Sequence, residues 1–310
     1  MELFRIKKDI PFMSYGRYTT TISLVTFLFA VFFLATKGLN FGVDFTGGTV
    51  MEVHYAQSAE LDKVRGQLDS IGLNTAQVQN FGSSKDVLIQ VPLKQNKAGS
   101  KLSDQVMETL HQQDASAELR RVEFVGPQVG KDLVENGAMA LLLVSLGIVG
   151  YLWLRFEWKF GLAAIIANLH DVVIILGFFA FFQWEFSLTV LSAVLAVLGY
   201  SVNESVVVFD RIRENFRKMR KTEVNVIIDN AITRTMSRTV ITHACTQMMV
   251  TSMLFLGGET LHYFALALTI GILFSIYSSV LVASPLLLMF GVSREDFIKP
   301  EKAEVEEVLP

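Results

Sequence analysis

Cysteine and charged residues are scarce in this sequence. Of its 310 residues, one is a cysteine and 18% are charged, whereas 51% are hydrophobic. With a single cysteine, Cys245, the chain can form no internal disulfide, so any segment outside a membrane must be stabilised by its own core. So many apolar residues cannot all be buried in one soluble core, and the composition predicts an integral membrane protein.

Signatures of ATP hydrolysis and of membrane-embedded hydrolases are also absent from the sequence. No Walker A pattern occurs, and no Ser-Lys, Asp-Asp or His-Glu-x-x-His arrangement provides a nucleophile and a base within an apolar run. We therefore predict that the protein is not an enzyme and has no cofactor or metal site. Its energy is expected to come from an ion gradient or from a partner.

Six apolar runs are long enough to cross a bilayer, which takes about 17–25 residues each. They cover residues 18–36, 133–154, 161–182, 186–209, 240–256 and 261–290. The first run is too long for a signal peptide, and no small-residue cleavage site follows it. The sequence therefore predicts a bundle of six transmembrane helices.

The distribution of lysine and arginine predicts how these spans are oriented. Outside residues 37–132, these cations lie in the tail 1–17, at Arg155 and Lys159, in the loop 210–239 and in the tail 291–310. The two remaining loops, 183–185 and 257–260, contain none. Because positive charge is retained in the cytoplasm, both termini and the basic loop 210–239 are predicted to be cytoplasmic. That face would meet anionic lipid.

The segment 37–132, between the first two spans, has its own pattern. Strands are predicted at 49–55, 75–81, 86–91 and 117–125, and helices at 59–71 and 102–113. The order β-α-β-β-α-β is typical of a small ferredoxin-like α+β domain. We expect this domain on the extracytoplasmic side of the membrane.

Glu204 is a carboxylic acid within the fourth apolar run. A charge near mid-membrane costs about 2.5–3.5 kcal/mol on insertion scales, so such a residue is seldom kept without a partner or a function. The fourth and fifth runs are antiparallel, which puts Arg238 at a similar depth, and Asn203 is expected to support the acid. A nearby cation favours the carboxylate and desolvation favours the neutral acid. The pair therefore either alternates between charge states or is a static buried ion pair.

Asp171 and its neighbour His170 lie near the middle of the third run. No further histidine or carboxylate completes a metal site with convincing spacing. Two interpretations stay open: a hydrogen-bonded pair that locks helices together, which is worth about 0.6–2 kcal/mol, or a step in a proton relay.

The fifth and sixth runs also contain polar residues. His243 belongs to a polar row at helical spacing with Thr239, Thr246 and Thr251, which indicates a face turned into the bundle or a wet cavity. Such rows more often make interhelical hydrogen bonds than ion sites, so His243 is a weak candidate. The serines of the sixth run, including Ser275 and Ser278, are expected only to pack.

Several motifs together resemble the SecF branch of the SecD/SecF family of bacterial export proteins. The motifs are FGVDFTGG at 41–48, VGPQVG at 125–130, HD at 170–171, GYSVNE at 199–204, FDRIREN at 209–215 and SRT at 237–239. The similarity covers about residues 18–288.

The resemblance implies a member of the resistance-nodulation-division superfamily that works with SecD, each supplying six spans. Such a pair is expected in the bacterial inner membrane, where re-entry of protons or sodium ions drives extracytoplasmic domains that assist a preprotein leaving SecYEG. YajC and YidC are further implied partners, and nucleic acid is not. The rival interpretation is a small-molecule or lipid exporter of the same superfamily, but such exporters usually have far larger external regions.

The resemblance also implies roles for single residues. Glu204 corresponds to the essential acid of the fourth span and Arg238 to the arginine of the fifth, while Asp171, Asn203, His170 and His243 are supporting polar groups. The family more often has aspartate at position 204, which leaves the coupling ion open between proton and sodium. Asp44, Gly47 and Gly48 lie in the connection that would transmit movement of the spans to the external domain, since glycines permit backbone conformations that other residues resist.

Overall fold

The computed structural model describes residues 6, 8–81, 83–93, 100–219 and 221–297. Within them, six helices are long and apolar enough to cross a membrane, in agreement with the six predicted spans. Residues 298–310, which make up most of the predicted C-terminal tail, and residues 1–5 and 7 of the N-terminal tail lie outside the described part of the chain.

The chain begins with a short 3-10 turn, Phe12–Tyr15, and the first spanning helix, α1 (Gly16–Thr36). A connection follows, made of the two-residue strand β1 (Asn40–Phe41) and the single-turn helix α2 (Val43–Thr46). Together they lead from the first span into the α+β domain.

A small α+β domain comes next, as predicted. Its elements are β2 (Gly48–His54), α3 (Leu61–Ser70), β3 (Gln77–Phe81), β4 (Ser83–Pro92), α4 (Ser100–His111) and β5 (Glu118–Val125). The sheet has the strand order β3-β4-β2-β5, and every pair of neighbours is antiparallel.

The core of this domain comes from one face of the sheet and from α3 and α4. Alternate strand residues such as Met51, Val53, Val87 and Ile89 are fully buried, because successive side chains of a strand point to opposite faces. They pack with the apolar sides of the two helices. The domain thus has the core of its own that a chain with one cysteine requires.

Five further spans complete the bundle. They are α5 (Pro127–Arg155), α6 (Trp158–Phe182), α7 (Leu188–Lys218), α8 (Val224–Leu256) and a last span formed by α9 (Gly258–Ser278), a π-turn at Ser279–Ala283 and α10 (Ser284–Met289). Strand β6 (Glu185–Phe186) lies between α6 and α7 and pairs in parallel with β1.

The spans differ in how far the chain itself covers them. In the most apolar stretch of each helix, 56% of α6, 50% of α7 and 56% of the last span is buried, but only 11% of α1, 11% of α5 and 17% of α8. The bundle therefore has α6, α7 and α9 at its centre. The outer helices turn apolar surface toward lipid or toward another chain.

The predicted basic loop 210–239 is mostly helical in the structure. Helix α7 continues to Lys218 and α8 starts at Val224. Phe216, Ile227 and Ile228 are buried in the core that these extensions share with α6 and α10. Apolar runs alone did not predict these helical extensions, because the extensions are amphipathic and contain many charged residues.

Candidate functional site

Glu204 lies on α7 and faces α8. Thr239 Oγ1 donates to Glu204 Oε1 at 2.5 Å, and His243 Nε2 lies 3.3 Å from Oε2. Thr239 and His243 are four residues apart, so the same face of α8 presents both of them. With Glu204 at 6% exposure, Thr239 at 2% and His243 at 3%, the three side chains form a polar centre sealed inside the bundle.

The imidazole of His243 has one unused nitrogen. Among the described residues, nothing hydrogen-bonds His243 Nδ1, and the Tyr200 ring packs edge-on against the imidazole with centroids 4.9 Å apart. A carboxyl group and an imidazole in contact can hold one mobile proton, either as a neutral acid beside neutral imidazole or as carboxylate beside imidazolium. The pair can therefore change its charge distribution without any change in its neighbours.

The structure does not bring Arg238 or Asn203 onto the Glu204 carboxyl. Both side chains are exposed, and no described ion pair or hydrogen bond joins either of them to Glu204. Each is one residue away from a member of the polar centre, and one residue turns a helix by about 100°. Both side chains therefore lie on helix faces turned away from the Glu204 carboxyl, and the predicted contact between Arg238 and Glu204 is not made.

Asp171 is the second buried acid, and it joins three helices. Its Oδ2 accepts hydrogen bonds from Ser201 of α7 and Ser278 of α9, each at 2.7 Å. His170 Nδ1 lies 3.2 Å from Oδ1, and His170 Nε2 lies 2.7 Å from Ser23 Oγ of α1. These hydrogen bonds join α6 to α1, α7 and α9, and the proton-relay interpretation of Asp171 stays a prediction.

The serines around Asp171 were not predicted as its partners. Ser278 was expected only to pack, but it donates to the acid because the end of α9 passes beside α6. Ser201 is three residues before Glu204, so α7 contacts Asp171 within one turn of its own acid. The motif at 199–204 could have indicated that Ser201 is a polar partner in the bundle, because this serine lies about one helical turn from Glu204.

The connection that carries Asp44 is attached to the other end of α7. Asp44 Oδ2 accepts a hydrogen bond from the backbone N–H of Leu188 at 3.0 Å, and Leu188 is the first residue of α7. A carboxylate here satisfies one of the free N–H groups of the helix start and interacts well with the helix dipole. Asp44 thus lies about 24 Å from Glu204 along one helix, at 1.5 Å per residue.

Both glycines of the connection occupy positions where a side chain would be unfavourable. Gly47 has φ +72°, in the left-handed region that favours glycine. A Cβ at Gly48 would lie 2.3 Å from the Val91 carbonyl oxygen. The α+β domain is therefore joined to the connection by a segment whose shape depends on glycine.

Asp44→Ala should loosen the start of α7. Loss of a capping carboxylate costs about 1 kcal/mol, so amide exchange in the first turn of α7 is expected to be about fivefold faster. Hydrogen–deuterium exchange of the full chain in a membrane measures this. The matched control is Asp132→Ala, which removes an exposed aspartate whose described partner is the Gln128 side chain. Equal exchange at Leu188 in both variants would contradict the role of Asp44.

Comparison with known proteins gives matches over nearly the whole chain. The family model described as protein export membrane protein SecD/SecF, C-terminal, matches residues 105–293, and the SecD/SecF GG motif matches residues 32–59. The latter range contains Asp44, Gly47 and Gly48.

Relatives and solved structures agree with these matches. The chain is 42% identical to protein translocase subunit SecF of Vibrio alginolyticus, over 99% of both chains. It is also 42% identical to the SecF subunit of Pseudomonas aeruginosa, over 97% of this chain and 98% of that one. The crystal structure of SecDF from Thermus thermophilus superposes with a TM-score of 0.80 at 33% identity, over 93% of this chain. This chain spans only 40% of that SecDF chain.

Proposed function

The chain belongs to the SecD/SecF family of protein-export membrane proteins, and from this membership we propose that it is an accessory subunit of the Sec translocase. As a multi-pass protein of the bacterial inner membrane, it works with SecD to promote late preprotein translocation through SecYEG. The energy comes from ions that re-enter the cell. The exporter alternative is not favoured, because the relatives that match nearly the full length are translocase subunits.

The polar centre of Glu204, Thr239 and His243 is the observation that carries this proposal. A buried carboxyl group beside an imidazole can accept a proton from one side and release it to the other. Each elementary charge that crosses the membrane potential supplies about 2.3 kcal/mol per 100 mV. This is enough to bias two arrangements of the protein that differ by a few kcal/mol.

The proton is the coupling ion that best suits this centre. Hard cations prefer sets of oxygen ligands, whereas Glu204 has one hydroxyl and one imidazole nitrogen as its described partners. Asp171 Oδ2 already accepts hydrogen bonds from two hydroxyl groups, so in this proposal Asp171 supports the position of α7 next to the relay.

Helix α7 is the proposed mechanical link. It contacts Glu204's partners on α8 in the membrane, and Asp44 caps its other end. We place residues 37–132 on the extracytoplasmic side, with both termini and residues 210–239 in the cytoplasm, on the basis of the charge distribution. The strand order supports assigning the domain to the ferredoxin-like class, and this domain is the part that moves or contacts the preprotein.

SecD is the proposed partner for the outer face of α7 and α8. Gly199 and Asn203 on α7 and Arg238 on α8 are all exposed in this chain, and a polar amide and a guanidinium are unfavourable in contact with lipid. A second set of spans would cover them and would bring Arg238 into a shared interior. Contacts with SecYEG, YajC and YidC are proposed from the family resemblance alone.

Gradient-driven translocation tests the function and the ion. Inverted membrane vesicles that contain SecD and this chain would be given a proton gradient or a sodium gradient separately, and protected preprotein would be measured. We expect severalfold stimulation by the proton gradient, which vesicles without this chain lack. Stimulation that survives a proton uncoupler and disappears without sodium would contradict the choice of proton. No stimulation by either gradient would contradict the function.

A further inference from the structure

The polar centre around Glu204 is closed to solvent, so a proton needs a route to it. Glu204, Thr239 and His243 are each no more than 6% exposed. Helix α8 ends at Leu256, on the predicted extracytoplasmic side and about 20 Å along the helix from His243 at 1.5 Å per residue. A proton that re-enters the cell has to cover this distance inside a region from which lipid excludes water. The groups of α8 between His243 and Leu256 are therefore the candidates for this route.

Two buried acceptor atoms occupy neighbouring positions in this part of α8. Within the described part of the chain, neither His243 Nδ1 nor Gln247 Oε1 has a hydrogen-bond partner. When the Nε2 proton of His243 points to Glu204, Nδ1 of the neutral ring is an acceptor. Residues four apart on a helix share one face, with their Cβ atoms about 5–6 Å apart. Because buried polar atoms are normally paired with protein or with water, these two acceptors indicate a shared donor.

A single water molecule can act as this donor. Water donates two hydrogen bonds, and two bonds of about 2.8 Å each bridge side chains at this spacing. The amide nitrogen of Gln247 is engaged elsewhere, because it donates to Thr251 Oγ1 and to Thr269 Oγ1 of α9, each at 3.2 Å. These two contacts also fix the plane of the amide and, with it, the position of Oε1. The pair of acceptors therefore forms a water site whose geometry Gln247 determines.

Gln247 also lines a groove along α8. Thr251 and Ser252 contribute further polar groups to this groove, and Phe255 and Leu256 line it at the end of the helix. Its volume is about 600 Å³, and one water molecule takes about 30 Å³. The groove thus has room for a chain of water molecules that runs from the end of α8 to Gln247.

Another chain has to cover this groove before it can hold water in a membrane. In the most apolar stretch of α8, only 17% is buried by this chain. The SecD spans that we propose for the outer face of α7 and α8 would close the groove on the lipid side. Thr251 and Ser252 would then face a polar interior between two chains and not lipid.

We propose that Gln247 holds a water molecule against His243 Nδ1, and that this water joins the groove to Glu204 as the route of proton entry. The inference deepens the proposed function and rests on it, because it gives the closed polar centre a connection to the extracytoplasmic side. Gln247 is a positioning residue in this scheme, since it neither gains nor loses a proton. It acts by keeping a polar, water-sized space next to His243.

Protons and charges balance along this route. The bound water passes a proton that arrives through the groove to His243 Nδ1, so the ring becomes an imidazolium ion. The ring then gives its Nε2 proton to Glu204 Oε2, which lies 3.3 Å away. Glu204 is left as a neutral acid, and His243 as a neutral ring that is protonated on Nδ1. Thr239 keeps its hydrogen bond to the other carboxyl oxygen throughout.

Thiol labelling from one side of the membrane tests whether water reaches Gln247. Gln247→Cys, Thr251→Cys and Met249→Cys would be made separately in a Cys245→Ser background, in complex with SecD and in right-side-out vesicles. Met249 is exposed but is not among the residues that line the groove. A charged, membrane-impermeant thiol reagent added outside should label Gln247→Cys and Thr251→Cys at least about tenfold faster than Met249→Cys, because lipid excludes charges. Labelling of Gln247→Cys no faster than that of Met249→Cys would overturn the route.

Two substitutions of Gln247 separate a water route from a structural contact. Gln247→Ala and Gln247→Leu both remove the hydrogen bonds to Thr251 and Thr269, but alanine leaves space for water, whereas leucine fills it with apolar atoms. Proton uptake after an external acid pulse would be followed with a pH dye inside right-side-out vesicles that contain SecD and this chain. We expect Gln247→Leu to slow uptake at least about tenfold, because a positioned proton donor contributes about 100-fold or more, and Gln247→Ala to stay close to the native rate. A structural role predicts the reverse order, since a cavity costs more than a side chain of similar size.

The outcomes also separate this route from the proposed function. A native rate of uptake in Gln247→Leu, or equal losses in Gln247→Ala and Gln247→Leu, would overturn the role of Gln247 while gradient-stimulated translocation by the native chain stands. Absence of both proton uptake and stimulation in the native chain would overturn the proposed function. Labelling of Gln247→Cys would still report a water-filled groove in that case.

Discussion

Glu204→Gln is expected to abolish gradient-stimulated translocation, with a loss of at least about tenfold, the change that about 1.4 kcal/mol of lost coupling produces. Glutamine has nearly the size of glutamate, and its carbonyl oxygen can still accept the Thr239 hydroxyl. It cannot bind and release a proton or carry a charge beside His243. The variant should therefore insert and fold normally while translocation in vesicles stays at the level seen without a gradient.

Glu214→Gln is the matched control for this variant. It makes the same chemical change on the same helix, but Glu214 lies near the C-terminal end of α7 and pairs on the surface with Arg211 and Lys218. Exposed ion pairs of this kind contribute little, so stimulation should remain native. If Glu204→Gln retained full stimulation at matched protein levels, Glu204 would be structural and the coupling site would have to be Asp171 or lie in SecD.

The sequence allowed the outline of the fold to be predicted, because length and hydropathy determine what can span a bilayer. The six spans and the small α+β domain both agree with the structure. The two-residue pairing of β1 with β6 was missed, since two residues carry no periodicity. It is nevertheless the pairing that places Glu185 beside the connection that carries Asp44.

The sequence identified the buried acids of the candidate site but not the helix faces that surround them. Apolar runs identified Glu204 and Asp171 as buried acids, and burial at 6% and 0% agrees with this. The α8 residues that contact Glu204 are those on the face of α8 that packs against α7. Hydropathy alone does not determine that face. In the structure, Thr239 and His243 contact Glu204, whereas the adjacent Arg238 does not. Thr239 and His243 both belong to the polar row that the sequence showed on the fifth span.

The two acids have different surroundings, and this difference bears on their roles. Asp171 Oδ2 is held by hydroxyl groups from two other helices, so a change in its protonation would disturb the junction of α6, α7 and α9. Glu204 is held by α8 alone, an outer helix that this chain covers poorly. A change at Glu204 can therefore move α8, or its partner in SecD, while the central helices keep their packing.

Gly48→Ala is expected to destabilise the external domain severely. A methyl group there would lie 2.3 Å from the Val91 carbonyl oxygen and 3.2 Å from the Pro92 Cα. These are backbone atoms of β4, and Gly48 pairs with Pro92 at the end of the β2–β4 ladder. Relief requires that the strands separate at the point where the domain joins the connection. Overpacking of this kind costs about 1–3 kcal/mol or more, and it should be measured as faster proteolysis of residues 48–125 in intact membranes.

Gly126→Ala is the control for Gly48→Ala. It shows whether the destabilisation arises from the steric clash at position 48 or from replacing any glycine at an attachment of the domain. Gly126 lies at the other attachment of the domain, next to Val125, which pairs with Gly48. Its backbone is extended, with φ −66° and ψ 151°, and no atom lies within 4 Å of an added Cβ. Alanine should be tolerated there within about 0.5 kcal/mol, as at ordinary surface positions. If both variants were equally resistant to protease, the close approach of the β4 backbone to Gly48 would not be maintained in the protein. The connection would then be able to bend at Gly48. If only Gly48→Ala is cleaved rapidly, the destabilisation comes from the close approach of β4 to position 48 and not from the loss of a glycine.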